Sequence, residues 1–174
     1  PKDFKGRIDV KKNMTEAANM DAVANLTGKE FQKQEGVNIT DTVTEYFNSI
    51  GNVAHNEKIG DVSLDLHGVK SDIAHGLGAK KAAAFKAIPD VIEKGKIVNV
   101  QYNWKGNDFD TVIIVAPIDI DNKPYMMGVI VKKAEETDRL YLHEVSIANE
   151  EGQSAQFKTW SRKKRTGNAN YPSL

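Results

Sequence analysis

The sequence contains no cysteine. That excludes a disulfide scaffold, a cysteine zinc site and a thiol nucleophile. Aromatic residues are 7% of the chain and prolines number 5. Neither charge sign is in excess, since Lys+Arg and Asp+Glu are each 24. A bulk polycation that coats nucleic acid is thereby excluded, while a local basic patch is not. No apolar run approaches the roughly 20 residues of a membrane-spanning helix. The opening residues PKDFKGRIDVKK carry charge with no apolar segment behind it, so they do not read as a signal peptide. The chain begins with Pro1, which suits a piece of a longer polypeptide. What is present is globular in character: 174 residues, 40% hydrophobic and 28% charged. That length can bury a core without staples.

The first half reads as helices. Residues 13–26 have Met20, Val23 and Leu26 on one face, Asn13 or Thr15 as a cap and Gly28 as a stop. A second helix follows Thr40 or Asp41, with Val43, Tyr46, Phe47 and Ile50 as its apolar stripe and Gly51 closing it. Residues 60–66 alternate and read as a short strand. Val69, Ile73 and Leu77 then have helical spacing. AKKAAAFKAI is rich in helix formers; Pro89 interrupts it, and PDVIEKG adds a turn or two before Gly95.

The second half reads as strands. IVNVQYNW, TVIIVAPIDI, YMMGVIVKK and RLYLHEVSI are joined by short polar turn segments. Short connections favour hairpins, so the expected sheet is a four-stranded antiparallel meander. Val98, Val100, Tyr102 and Trp104 share one face of the first run, and Val112, Ile114, Ala116, Ile118 and Ile120 one face of the second. The second run is apolar on both faces at its centre, which suits a central strand. The expected fold is α+β, with N-terminal helices packed on the meander. Three regions follow: an N-terminal extension with a helix (1–39), the α+β domain (40–150) and a basic C-terminal segment (151–174).

No phosphate loop, dinucleotide fingerprint or zinc-protease motif occurs. GLGAKK has too few residues between its glycines and no Ser or Thr after its lysine. Acid–base chemistry by histidine, with lysine or arginine to stabilise an anion, is therefore the chemistry available. His55 lies in a polar loop and reads as a surface residue. His67 stands at a junction before Gly68. His75 is followed by Gly-Leu-Gly, at the end of the expected helix; it serves either as a site residue or as a cation that favours the helix dipole. On RLYLHEV, period-two alternation puts Arg139, Tyr141, His143 and Val145 on one face, which is either solvated or a binding surface. Residues 70–105 hold seven lysines against three acidic residues. Lys80 and Lys81 open a helix, where positive charge opposes the dipole. A bound polyanion would account for that. Trp104 beside Lys105 suits base stacking with phosphate contact, or else a core tryptophan at a strand end.

The blocks GVKSDIAHGLGAKKAAAFKAIPDVIEKGKIV, NWKGNDFDTVIIVAPI, YMMGVIVKK and RLYLHEV resemble phage-associated nuclease domains of the barnase–EndoU–colicin–RelE-like fold. Such domains occur in polyvalent phage proteins and as C-terminal toxin modules behind MuF-type head proteins. The resemblance covers roughly residues 40–147. It implies helices on a four-stranded antiparallel sheet and a metal-independent ribonuclease without a cofactor. Cellular RNA, tRNA among it, would be cleaved by 2′-hydroxyl attack to leave a 2′,3′-cyclic phosphate, and an immunity protein would be the partner. The implied acid–base pair is His75 and His143, with Lys70 for transition-state charge. Lys80 and Lys105 would bind phosphate, Trp104 and Tyr141 would position a base or ribose, and His67 is a further candidate. A monomer without membrane contact is expected, acting in the cytoplasm of a target cell after delivery by a parent polypeptide or phage particle. The alternative is a non-catalytic module of the same fold that binds RNA or protein. A transferase-type toxin would need a nicotinamide-dinucleotide pocket, for which there is no fingerprint.

Overall fold

The computed structural model describes residues 8–32, 34–67, 69–73, 80–101, 109–134, 137 and 139–148. The chain enters through helix α1 (Val10–Asn19), capped by Asp9, whose carboxylate accepts the Lys12 backbone N–H at 3.0 Å. The helix expected over 13–26 therefore starts earlier and stops at Asn19. From Met20 the backbone is extended, and Val23, Ala24 and Leu26 bond to the main chain of residues 117–121. Pairing there makes strand β1 (Asn25–Leu26) and overrides local helix propensity. Helix α2 (Ile39–Ser49) is capped by Asn38, not by Thr40 or Asp41: the Asn38 amide oxygen accepts the Thr40 N–H at 2.8 Å. Val43 and Phe47 are buried, Tyr46 is half-buried and Ile50 is exposed. Gly51 closes α2 at φ +89°, where only glycine is unstrained.

Strands β2 (Val53–Asn56) and β3 (Gly60–Ser63) form an antiparallel hairpin. β2 hides in a polar stretch of sequence. Its buried Asn56 explains why it is there: the amide donates to the Ile92 carbonyl at 2.8 Å and accepts from the Lys58 and Ile59 N–H groups. Strand β4 (Lys70–Ile73) replaces the helix expected from the Val69–Ile73–Leu77 spacing, because it pairs in parallel with a distant strand. Helix α3 (Lys81–Ala84), a 3₁₀ turn (Phe85–Ala87) and helix α4 (Ile88–Lys94) follow without a break, with Pro89 in the first turn of α4. Gly95 ends α4 against the sheet. A Cβ there would lie 2.5 Å from the Val91 carbonyl oxygen and 2.7 Å from Ile114 Cγ2.

Strands β5 (Lys96–Gln101), β6 (Phe109–Ile120), β7 (Lys123–Ala134) and β8 (Leu140–Ala148) pair antiparallel in succession. Asp121 and Asn122 join β6 to β7 with φ of +52° and +60°, the twist a two-residue hairpin favours. These four strands are only part of a mixed sheet that has eight strands among the described residues. The fold is thus α+β, but not a four-stranded antiparallel meander. β1 runs parallel to β6, while β3 and β4 run parallel to β8. The outer edge of β6 is shared by β5 and β1, and that of β8 by β3 and β4. Residues before 40 belong to this same sheet and core through β1 and α1.

Helices pack on both faces of the sheet. On the first, Val112, Ile114, Ala116, Ile118 and Ile120 of β6 all enter the main core, as their alternation predicts. They pack with Val43 and Phe47 of α2 and Ile88, Val91 and Ile92 of α4. Each such side chain contributes roughly 1.5–3 kcal/mol by leaving water. On the second face, Met14 and Ala17 of α1 pack with Val98, Ile113, Val115 and Ile130. Val98 is here because β5 bulges: Ile97 faces Ile114 and Asn99 faces Ile113. Val98 and Val100 therefore do not share a face, in contrast to their sequence alternation.

Candidate functional site

Beyond α1 the second face turns polar. Gln101, Thr111, Lys132 and Tyr141 are register neighbours across β5, β6, β7 and β8. At about 4.8 Å per strand the row spans roughly 14 Å. Gln101 and Thr111 are buried, and the Thr111 hydroxyl donates to the Gln101 amide oxygen at 3.5 Å. Lys132 and Tyr141 are half-buried. The adjacent row runs Asn99, Ile113, Ile130, Glu144, and ends at Lys70 of β4, which stands opposite Glu144. One step further, buried Ser146 stands between Gly128 and Asp72 in register.

His143 sits where the pattern of β8 breaks. On the β7 side, Glu144 faces Ile130 and Leu142 faces Val131, so the register shifts at His143. On the outer side, β3 pairs with Leu140 and Tyr141, and β4 with Glu144 to Ile147. His143 lies between those two ladders. This bulge corrects the expected shared face of Arg139, Tyr141, His143 and Val145. Leu142 and Val145 both enter the main core, although they are three residues apart. Tyr141 instead belongs with Glu144 on the second face, and Arg139 is exposed before the strand.

The remaining candidates are distributed unevenly. His67 is exposed in the loop that carries the chain from β3 to β4 past the β8 break, and its N–H donates to Asp65 at 2.9 Å. His75, Trp104 and Lys105 lie outside the described residues. Lys80 is not with His143. Its Nζ bonds Asp121 Oδ2 at 2.8 Å, at the β6–β7 turn. Eight residues of β7 separate that turn from Val131, on the order of 27 Å. The Asp121 hydrogen bond moves the Lys80 ammonium above the usual lysine value. The same bond, then the Lys80 charge, holds the Asp121 carboxyl below the usual carboxylate range. Lys80 is thus a clasp on the hairpin. His55 bonds Asp61 across the β2–β3 hairpin at 2.7 Å, both on the exposed surface.

Lys132, Glu144, Gln101 and Asn99 escaped sequence reasoning as site residues. Lys132 opposite Tyr141 follows from pairing β7 with β8, but the bulge shifts that pairing by one residue. Asn99 is 1% exposed, and neither its Nδ2 nor its Oδ1 makes a hydrogen bond among the described residues. A sealed, unbonded polar group costs about 1–3 kcal/mol. A separate cavity of about 280 Å³ lies between α1, the β2–β3 turn and the end of α4. Its lining balances Asp9, Glu16, Glu57 and Glu93 against Lys12, Lys58, Lys94 and Lys96, and it holds none of the candidate site residues named from the sequence. Among the described residues no helix is long and apolar enough to cross a membrane.

The family model of large polyvalent protein-associated domain 3 matches residues 9–141. The chain belongs to this family. The match opens at the α1 cap, Asp9, and closes at Tyr141, so α1 and β1 lie within the large polyvalent protein-associated domain 3 region. Association with polyvalent proteins, expected from the sequence blocks, is thereby supported. No curated protein and no solved structure matches the chain.

Proposed function

We propose that this domain is a metal-independent ribonuclease of the toxin type. The observation that carries the reading is the polar half of the second face: Lys132, Tyr141 and Glu144 lie beside the β8 break at His143, with Lys70 opposite Glu144. RNA cleavage by 2′-hydroxyl attack needs a base for the 2′-proton, an acid for the departing 5′-oxygen and a cation near the phosphorane oxygens. His143 supplies one acid–base group and His75 the other; Lys70 and Lys132 supply positive charge. Tyr141 offers a ring for a base or ribose. The half-buried setting of Lys132, Tyr141 and Glu144 favours this use, because charges beside partly desolvated strands act more strongly than in water. Lys80 plays no part in this version, since it is engaged at the far hairpin. A small acidic immunity protein covering this half of the sheet is the expected inhibitor.

The test is incubation of the protein with total tRNA in EDTA, followed by a denaturing gel, with His143→Ala and His75→Ala beside the wild type. The expected result is discrete fragments from the wild type only, ending in 2′,3′-cyclic phosphate. Cleavage that requires a divalent cation would sink the mechanism. Salt-sensitive RNA binding without product would make the domain a binding module instead.

A further inference from the structure

Asn99 carries a donor and an acceptor that no other described residue uses. Both atoms are buried, and neither is hydrogen-bonded among the described residues. Its register neighbour on β6 is Ile113, and Val98 and Val115 lie on the same face, so an apolar side chain would suit the position better. The helix that packs on β5 is α1. Val10 and Ala17 are its buried residues, Asn13 Nδ2 donates to the Ile97 carbonyl at 2.6 Å, and Glu16 meets Lys96 at 3.5 Å on the surface. Two residues along β5, on the same face, stands Gln101, the start of the row that ends at Tyr141. Asn99 and Gln101 thus set two amides side by side on this face of β5, and Gln101 leads into the row that ends at half-buried Lys132 and Tyr141.

A primary amide presents N–H and C=O side by side. Its natural complement is another such pair, and nucleobase edges offer it: the N3–H and carbonyl of uracil, or the N6–H and N7 of adenine. We propose that Asn99 is a specificity-determining residue, which reads the edge of one nucleobase when α1 moves aside for bound RNA. The inference rests on the ribonuclease reading above. It assigns a residue unused in the cleavage chemistry, and it makes stability and specificity pull in opposite directions at one position.

The experiment compares wild type with Asn99→Leu and the smaller Asn99→Val. Thermal melting is measured for each, and kcat/KM for four RNA oligonucleotides that differ in one unpaired base. Melting temperature should rise in at least one variant, while the preferred base loses its advantage by about ten- to a hundredfold. Hydrogen exchange of α1 amides should speed up when RNA binds to wild type. Retained base preference in the variants overturns the inference and leaves the ribonuclease reading intact. So does lower melting in both variants, which would make Asn99 a structural amide, and so does unchanged exchange in α1. Failure of the wild type to bind or cleave any of the oligonucleotides overturns the ribonuclease reading and the inference with it.

Discussion

The two faces of the sheet are made from the same strands but obey different rules. On the first face, β6 and β7 alternate without interruption, and every second residue from Val112 to Ile120 enters the core. α2 and α4 bring their own apolar stripes to it. On the second face the apolar patch is short, α1 covers it with Met14 and Ala17, and the rest is polar. Both bulges in the antiparallel ladders, at Val98 and at His143, change which residues reach that face. Bulges re-aim side chains, and they are common beside functional sites. The first face therefore carries the stability, and the second carries the polar groups on which the proposed chemistry rests.

That division can be broken by single substitutions. The largest effect is expected from His143→Ala: a loss of RNA cleavage on the order of 10²- to 10⁴-fold, the range of one acid–base group. The melting temperature should stay near that of wild type. An equal collapse of both, seen by calorimetry and gel assay together, would mean that the bulge is structural. Ile114→Ala is the mirror experiment. Ile114 is fully buried between the sheet and α4, so its loss should cost roughly 2–5 kcal/mol in urea unfolding, with cleavage per folded molecule unchanged. Gly95→Ala sharpens the same side. The new Cβ meets the Val91 and Val115 carbonyl oxygens and Ile114, so α4 must shift, at a cost of about 1–3 kcal/mol in the same measurement.

The smallest effect belongs to the Lys80–Asp121 clasp. The Asp121 carboxyl is held below its unfolded pKa, so its contribution is full above the unfolded value and is lost as pH falls through the folded one. Lys80 is the reverse: its raised pKa contributes below the unfolded lysine value and is lost as pH rises through the folded one. Melting followed from neutral to acidic pH should show a slight advantage of wild type over Asp121→Asn that vanishes on acidification. A difference that persists at low pH would assign the effect to packing rather than charge.

Much of the first face was legible in the sequence. The alternation of β6, the Asp121–Asn122 turn and the Val43–Phe47 stripe of α2 need only local rules. The second face was not, and the reasons are specific. A bulge leaves no mark in a period-two pattern, so Val98 and His143 misplace their neighbours by one residue. β1, β2 and β4 are short and polar, and distant partners impose their extended form, as the parallel ladder with β8 does for Lys70–Ile73. Tyr141 was visible as a candidate, but its row needed the register of three other strands. Lys80 read as a phosphate ligand because the sequence shows its charge and not Asp121, its distant partner.

The shared edges of β6 and β8 have a consequence for how the chain is made. β1 and β4 leave the ribosome well before the strands they pair with, Asp119–Ile120 and Glu144–Ile147, and β3, which meets β2 at once, still waits for Leu140–Tyr141. The β6–β7–β8 hairpins close over short loops and form fast once they emerge, whereas the parallel flanks are long-range contacts that come slowly. The parallel ladders of this sheet can therefore close only after β6 and β8 have been made. The strands made late are the ones that β1 and β4, made early, need as partners.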